Sequence, residues 1–165
     1  MYTITSEVVP PAAPLPLVKQ HLRVTHGTED HLINTYIAAA TQFVESFSGI
    51  RLVRRDVEIS ALGWAARYRL PRPLVSVLSA SANGVPQDVG TLETFSDGML
   101  MWPAGTQGLL TLTARIGMVE SQDDVSAPIM SVLLVAIGHL YVNREGQPWP
   151  PGLMAQIRTI QGVKL

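Results

Sequence analysis

Few residues in this chain have the type and spacing that catalysis or metal binding requires. The histidines are His21, His26, His31 and His139, and cysteine is absent. Neither an HExxH pattern nor a Cys/His ligand spacing occurs, so no zinc site is expected. His26 and His31 straddle an expected helix start, where histidines act as capping or surface groups. Asp123-Asp124 is an adjacent carboxylate pair, but adjacent loop acids mostly solvate a turn rather than hold a cation. No serine sits in a Gly-x-Ser-x-Gly elbow, and the glycines form no dinucleotide or phosphate-loop fingerprint. Arg54-Arg55 with Arg67, Arg69 and Arg72 makes a modest basic group. It could meet a phosphate, but alternating arginines more often form a solvated face or ion pairs with another subunit. Trp64, Trp102 and Trp149 are scattered, as core or interface anchors are, and do not form a base-stacking platform. The expected catalytic, cofactor and metal sets are therefore all empty, and the residues point to a structural or interaction protein.

Composition narrows the class further. The chain has 165 residues with a net charge of −1, and its pI is near 6.4. One domain is the expectation at this length. Without a basic excess, a protein whose main task is gripping duplex DNA is disfavoured. Hydrophobic residues make up 47% while charged residues make up only 15%, against roughly 25% charged in typical soluble domains. Either the surface is rich in neutral polar residues, or other subunits cover part of it. Without cysteine there is no disulfide framework. The first residues carry an acid and no basic region, unlike a signal peptide. The apolar stretch Ile129–Ile137 is interrupted by Ser131 and too short to span a bilayer. A soluble protein made in a cytoplasm is expected.

These residues must be positioned by elements whose periods change along the chain. Val8-Val9-Pro10-Pro11 denies the start a helix, so residues 1–14 read as an extended arm, lying across a neighbour or frayed. Leu15, Val18 and Leu22 stripe a helix over about 15–24, stopped by His26-Gly27. Thr28 can cap a long helix over about 28–48, with Glu29 and Asp30 favoured by its dipole. Leu32, Tyr36, Ala40, Phe43 and Phe47 form its main stripe, widened by Ile33, Ile37 and Val44, and Gly49 is its C-terminal cap. The period then becomes two. Residues 51–117 read as an antiparallel insert of five or six short strands, with hairpin turns at Asn83-Gly84 and Asp97-Gly98. Ser126 can cap a third helix reaching about Arg144, apolar nearly all round and so buried on nearly all sides. Gly146 ends it, and Trp149-Pro150-Pro151-Gly152 is a linker to a short helix over about 153–160. The fold class is α+β: a bundle of three to four helices with a β region inserted between the second and third. Leu32, Tyr36, Ala40, Phe43, Leu133, Ile137 and Leu140 are expected in the core of the helical body.

The order of these elements resembles the phage head–tail connector (adaptor) family of long-tailed phages and gene-transfer agents. The carrying motifs are His21-Leu22-Arg23-Val24, Glu29-Asp30-His31-Leu32-Ile33, Ala38–Glu45 and Gly49-Ile50-Arg51-Leu52. Leu70-Pro71-Arg72-Pro73-Leu74-Val75-Ser76-Val77 is similar to the family's "LPRxPxxSV". Ala127-Pro128-Ile129 through Leu140-Tyr141-Val142-Asn143-Arg144-Glu145 is similar to its late helix. The resemblance covers about residues 15–146, and order and spacing carry it rather than any single motif. It implies a virion protein of the neck, forming a closed ring, usually of twelve copies, beneath the portal protein. Such a ring extends the DNA channel, lets DNA pass without specific binding, and offers a platform to a stopper or tail-completion protein. No membrane partner is implied. A stopper or tail-completion protein of the same neck is the alternative, and a small enzyme or ligand-binding domain a more distant one. Portal docking is expected at the C-terminal segment. There Trp149, Leu153, Met154, Ile157 and Ile160 would give an apolar stripe needing cover, and the tail with Val163 and Leu165 is short enough to lie along a partner; the alternative is that this helix folds back on its own bundle.

Overall fold

The computed structural model describes residues 2–62, 67–95, 98–101, 108–144 and 147–161. The chain is α+β, with antiparallel sheets inserted between its second and third helices. It forms two compact units. One is β, from Met1–Val8 with Arg54–Met118, and the other is helical, from Val9–Val53 with Val119–Lys164.

In the helical unit α1 spans Leu15–Leu22, α2 Asp30–Ser48, α3 Ala127–Val142 and α4 Pro151–Gln161. On α2 the fully buried stripe is Ile33, Ile37, Ala40 and Val44, the i, i+4, i+7, i+11 line of one helix face. The neighbouring line of Leu32, Tyr36 and Phe43 is only half-buried, so the centre of the buried face is rotated by about one residue from the expected one. Leu133 and Ile137 are fully buried and Leu140 half-buried. Thr41 is buried because its hydroxyl donates to the Ile37 carbonyl at 2.8 Å and accepts from the Ala12 N–H at 3.3 Å. That contact ties the segment before α1 to the middle of α2.

Helix ends differ from the sequence reading in instructive ways. α1 stops at Leu22, before His26-Gly27, because Arg23 turns left-handed (φ 59°) and the Val24 N–H closes back on the Lys19 carbonyl. Glu29 rather than Thr28 occupies the cap position of α2, and the Thr28 hydroxyl instead meets His26 Nδ1 at 2.6 Å. Asp30 opens α2, where the dipole favours an acid, and holds Lys19 at 2.6 Å. Gly49 caps α2 as expected, left-handed at φ 70° with its N–H on the Glu45 carbonyl. Ser126 precedes α3, but its side chain makes no capping bond. Gly146 lies outside the described residues. Pro151 and Gly152 open α4 rather than linking to it, since proline suits a first helical turn. α3 buries Ile129, Val132, Leu133, Ala136 and Ile137, yet leaves Val135 and Val142 exposed. It is therefore covered on one face and not all round.

In the β unit, β1 (Tyr2–Glu7), β2 (Arg55–Leu62), β4 (Leu74–Ala82), β5 (Val85–Pro86) and β8 (Leu109–Ile116) form one sheet in the order β1-β2-β8-β4-β5. A second sheet has the order β3-β7-β6, from Arg67–Arg69, Met99–Met101 and Glu93–Thr94. The arm thus pairs with its own β2, as an edge strand. Asn83 and Gly84 take positive φ in the β4–β5 turn, as a type I′ hairpin demands. Asp97 lies outside the described residues, but Gly98 (φ 79°) closes the β6–β7 turn with its N–H on the Phe95 carbonyl.

Alternation is strict along β2 and β8, the central strands of the larger sheet. Ile59 and Leu112 face Ala80 on one side, and Val57 with Ala114 faces Val77. These, with Tyr68, Leu70, Leu100 and Ile116, form the core of the β unit. The Tyr68 hydroxyl is buried and finds no partner among the described residues. It adjoins a small apolar cavity lined by Ile59, Ala61, Leu70, Leu100 and Leu110.

Burial decides the cost of truncation. Ile37→Ala is expected to cost about 2–5 kcal/mol because the cavity it leaves is enclosed. Phe43→Ala, at a half-exposed site, is expected to cost less than Ile37→Ala. Chemical denaturation of both variants checks the order, and a larger loss for Phe43 would mean the wrong face of α2 has been taken as the core.

Candidate functional site

The chemistry-bearing residues are spent locally. Asp124 Oδ2 accepts from the Ser121 N–H at 3.1 Å and from its hydroxyl at 2.9 Å, while Ser121 Oγ accepts from the Asp123 N–H. The Asp123-Asp124 pair is thereby part of a capping box on a single turn. His21, His26 and His31 are exposed. His139 lies against the Trp149 ring at 5.2 Å between centroids, with one ring nitrogen facing the Gln147 carbonyl and the other the Asn143 amide. Among the described residues no group of three His, Asp or Glu could hold a metal ion, and no helix is long and apolar enough to cross a membrane.

The basic group disperses too. Arg55 is buried and ion-paired with Glu7 at 2.7 Å, which fastens the end of β1 to β2. Nothing in the sequence marked Glu7 for this role except its place at the end of an otherwise uncharged strand. Arg67 and Arg69 flank buried Tyr68 on β3 and point to the exposed side. Trp64 and Trp102 lie outside the described residues. Trp149 stacks on Phe43 at 3.9 Å, and Phe43 meets Phe47 at 4.8 Å.

What the structure brings together is a surface. On the face of the larger sheet opposite its core, Thr3, Ser60, Thr111 and Ser81 lie in one register row across β1, β2, β8 and β4. Glu58, Thr113 and Ser79 form the next row, and Asp56, Arg115 and Ser76 a third. Arg115 donates to Asp56 at 2.8 and 3.1 Å, so the cation on these rows is neutralised in place. That pairing lowers the Asp56 pKa and raises that of Arg115. A hydroxyl-rich face with its arginine paired offers little to attract phosphate.

A second cluster closes the helical unit. Tyr141 on α3 donates to Glu29 Oε2 at 2.7 Å, Arg144 reaches Glu29 Oε1 at 3.2 Å, and Arg144 lies 5.3 Å over the Tyr141 ring. Tyr36 meets Tyr141 edge-on at 6.4 Å. The bond from Tyr141, with help from Arg144, holds the Glu29 carboxyl below its usual pKa, and the same bond pushes the Tyr141 phenol above its own. A lowered acid stabilises the fold above its unfolded pKa and loses that contribution as pH falls through the folded value. A raised phenol contributes below its ordinary value and loses the contribution as pH rises through the folded one.

The apolar stripe of α4 takes the second of its two expected places, folded back on its own bundle. α4 packs on α2 and α3, and Leu153, Ile157 and Ile160 are buried. A short amphipathic helix hides its apolar side on the nearest apolar surface, and here that surface is its own bundle. Met154 and Trp149 are half-buried. Val163 and Leu165 lie outside the described residues.

Two outcomes follow for this unit. Glu29→Gln is expected to lower the thermal midpoint at neutral pH and to flatten its fall below the ordinary glutamate pKa of about 4.3. Melting curves from acid to neutral pH check this, and an unchanged acid limb would remove Glu29 as its source. Deleting residues 151–165 is expected to lower the midpoint by many degrees because it removes three core side chains, whereas deleting 162–165 should leave it unchanged.

The fold has counterparts among solved structures. Residues 13–74 match the family described as Phage gp6-like head-tail connector protein. No curated protein matches the sequence. Among solved structures, a chain in "Neck of empty GTA particle computed with C6 symmetry" superposes with a TM-score of 0.77 at 20% identity, over 97% of this chain and 94% of that one. A chain in "Virion of native gene transfer agent (GTA) particle" gives 0.76 at 20%, over 96% and 94%. A chain in "Neck of native GTA particle computed with C12 symmetry" gives 0.77 at 18%, over 97% and 94%. Through the α1–α2 region and the entry into the β insert, residues 13–74 are thus similar to the phage gp6-like head-tail connector family, and the fold as a whole is similar to that of chains in gene-transfer-agent particles.

Proposed function

We propose that this protein is a structural component of a virion neck, a head–tail adaptor rather than an enzyme. It is made in the host cytoplasm and assembled at the junction of head and tail. Copies form a closed ring, twelve in number, beneath the portal protein. The ring extends the DNA channel and gives a stopper or tail-completion protein its platform. The observation that carries this reading is the near-complete sharing of fold with chains of symmetric gene-transfer-agent necks, together with the connector-family match over residues 13–74.

The physical chemistry of the chain supports the reading. Its 15% charged residues suit a subunit with neighbours on two sides, because a head-to-tail ring consumes two different patches per copy. The exposed valines of α3, Val135 and Val142, are apolar surface that assembly would cover. The hydroxyl rows of the large sheet suit a duplex that must slide and not bind. Because Leu153, Ile157 and Ile160 are core, docking to the portal falls to the end of the chain, with Val163 and Leu165.

Particles lacking this chain are expected to accumulate as separate heads and tails, and image reconstruction of complete particles should place it in a ring at the neck. Free protein is expected to show no salt-dependent, sub-micromolar binding to duplex DNA by fluorescence anisotropy. Tight binding of that kind would contradict a sliding channel. The variant lacking 162–165 should remain folded but fail to join portal-bearing heads. Normal joining would move the docking site elsewhere.

A further inference from the structure

The larger sheet of the β unit ends in two strands whose outer rows are open. At one side β1 pairs only with β2. At the other, β5 covers β4 only at Ser81 and Ala82, and the Gln87 N–H on the Ala80 carbonyl extends that cover by one residue. Among the described residues no strand lies beyond Leu74–Ser79. Neither open stretch carries a charge, from Thr3 to Ser6 or from Leu74 to Ala82. Edge strands are normally guarded by lysines, prolines or bulges. Bulges are present here, at Thr5 in β1 and at Val75 and Leu78 in β4. The β4 bulges place apolar rather than charged side chains at the edge, with Val75 43% and Leu78 42% exposed.

Strand direction makes these edges complementary. β1, β2, β8 and β4 are antiparallel in sequence across the sheet. From β1 to β4 there are four strands, an even number, so β1 of a second copy in the same orientation runs antiparallel to β4 of the first. A two-fold dimer would instead match β1 with β1 or β4 with β4. Only the β4-to-β1 match uses different patches on the two copies, and only such a contact repeats around a ring.

We propose that copies of this chain join edge to edge, β4 of one against β1 of the next, through short backbone ladders with Val75 and Leu78 packed at the junction. The inference rests on the ring proposed above and names the surface that would close it. Because the bulges interrupt both strands, each ladder is short and each junction weak alone. Closure of the ring then supplies the stability that one junction lacks.

The absence of cysteine allows a clean test. Thr3, Ser76 and Ser79 are exposed and share the hydroxyl face. Opposed residues on one face bring Cβ atoms within about 4.5–5.5 Å, near the span of a disulfide. The double variants T3C/S76C and T3C/S79C sample two registers. Each is oxidised as the full chain, free over a concentration series and again in assembled necks, beside the three single variants. At least one double variant is expected to give a ladder of multimers on a non-reducing gel, and the single variants to give none beyond dimers. Dimers from T3C alone, at the yield of the doubles, would overturn the proposal in favour of two-fold pairing. Necks in which reconstruction shows the ring but no double variant cross-links would overturn the edge contact and leave the ring standing. Complete particles without a ring of this chain would remove both. V75K/L78K supplies a second measurement: an unchanged thermal midpoint with loss of incorporation into necks is expected, and normal incorporation would overturn the proposal.

Discussion

The architecture depends on the closure of a long excursion. α2 ends at Ser48 and α3 begins at Ala127, yet both must pack in one helical unit. Between them the chain leaves to build, among the described residues, seven strands. It returns at Val119, whose N–H meets the Leu52 carbonyl at 3.0 Å while Val53 and Val119 form a parallel bridge. The departing side is fixed by Glu45, a buried carboxylate on α2 that accepts the Leu52 N–H at 2.8 Å. Bringing distant chain ends together carries a loop-closure entropy cost that grows only slowly with length. Inserting a whole β unit is therefore tolerated, provided the entry and exit are pinned. Leu52 and Val53 are both buried, so the pin is shielded from competition by water.

Several of the few charges in the chain serve as cross-links. Glu7 with Arg55 joins β1 to β2, Asp56 with Arg115 joins β2 to β8, Lys19 with Asp30 joins α1 to α2, and Glu29 with Arg144 joins α2 to the end of α3. The exposed pairs contribute little each to stability. Arg55 differs because it is buried, so the loss of its Glu7 partner would cost more than the loss of an exposed pair. A charge committed to an intramolecular partner no longer repels a neighbouring copy or attracts a phosphate. The low charge count and the way those charges are used thus have the same consequence, a surface on which neutral polar and apolar contacts dominate.

Elements were more legible in the sequence than faces and ends. The change of period after Gly49 marked the β insert, and Asn83-Gly84 marked its tight turn, because each depends on local backbone chemistry. The centre of the α2 face was less legible. Leu32, Tyr36 and Phe43 lie next to Ile33, Ile37 and Val44 on the helix, and hydropathy alone does not say which line meets the bundle. The α2 cap was missed because a different local bond won, the Thr28 hydroxyl turning back to His26 two residues earlier. The arm read as extended but not as paired, since a partner strand more than fifty residues away leaves no local signal. The stripe of α4 was legible, but its destination was not. An amphipathic pattern states that a face must be covered without stating by what.

That last ambiguity is also why residue chemistry alone marks no site among the described residues. An enzyme concentrates its function in a few side chains of unusual type, spacing and pKa, and such constellations can be read from a sequence. A protein that works by assembly distributes its function over edges, rows and exposed faces made of the commonest residues. Ser and Thr on the outward rows of a sheet, valines on the back of a helix and an uncharged edge strand are each unremarkable alone. They acquire meaning through register, which places Thr3, Ser60, Thr111 and Ser81 in one line. Strand direction adds the rest, deciding which edge of one copy can meet which edge of another. In a protein of this kind the site is a property of the fold's geometry, and the sequence discloses it only to the extent that it discloses the pairing of strands.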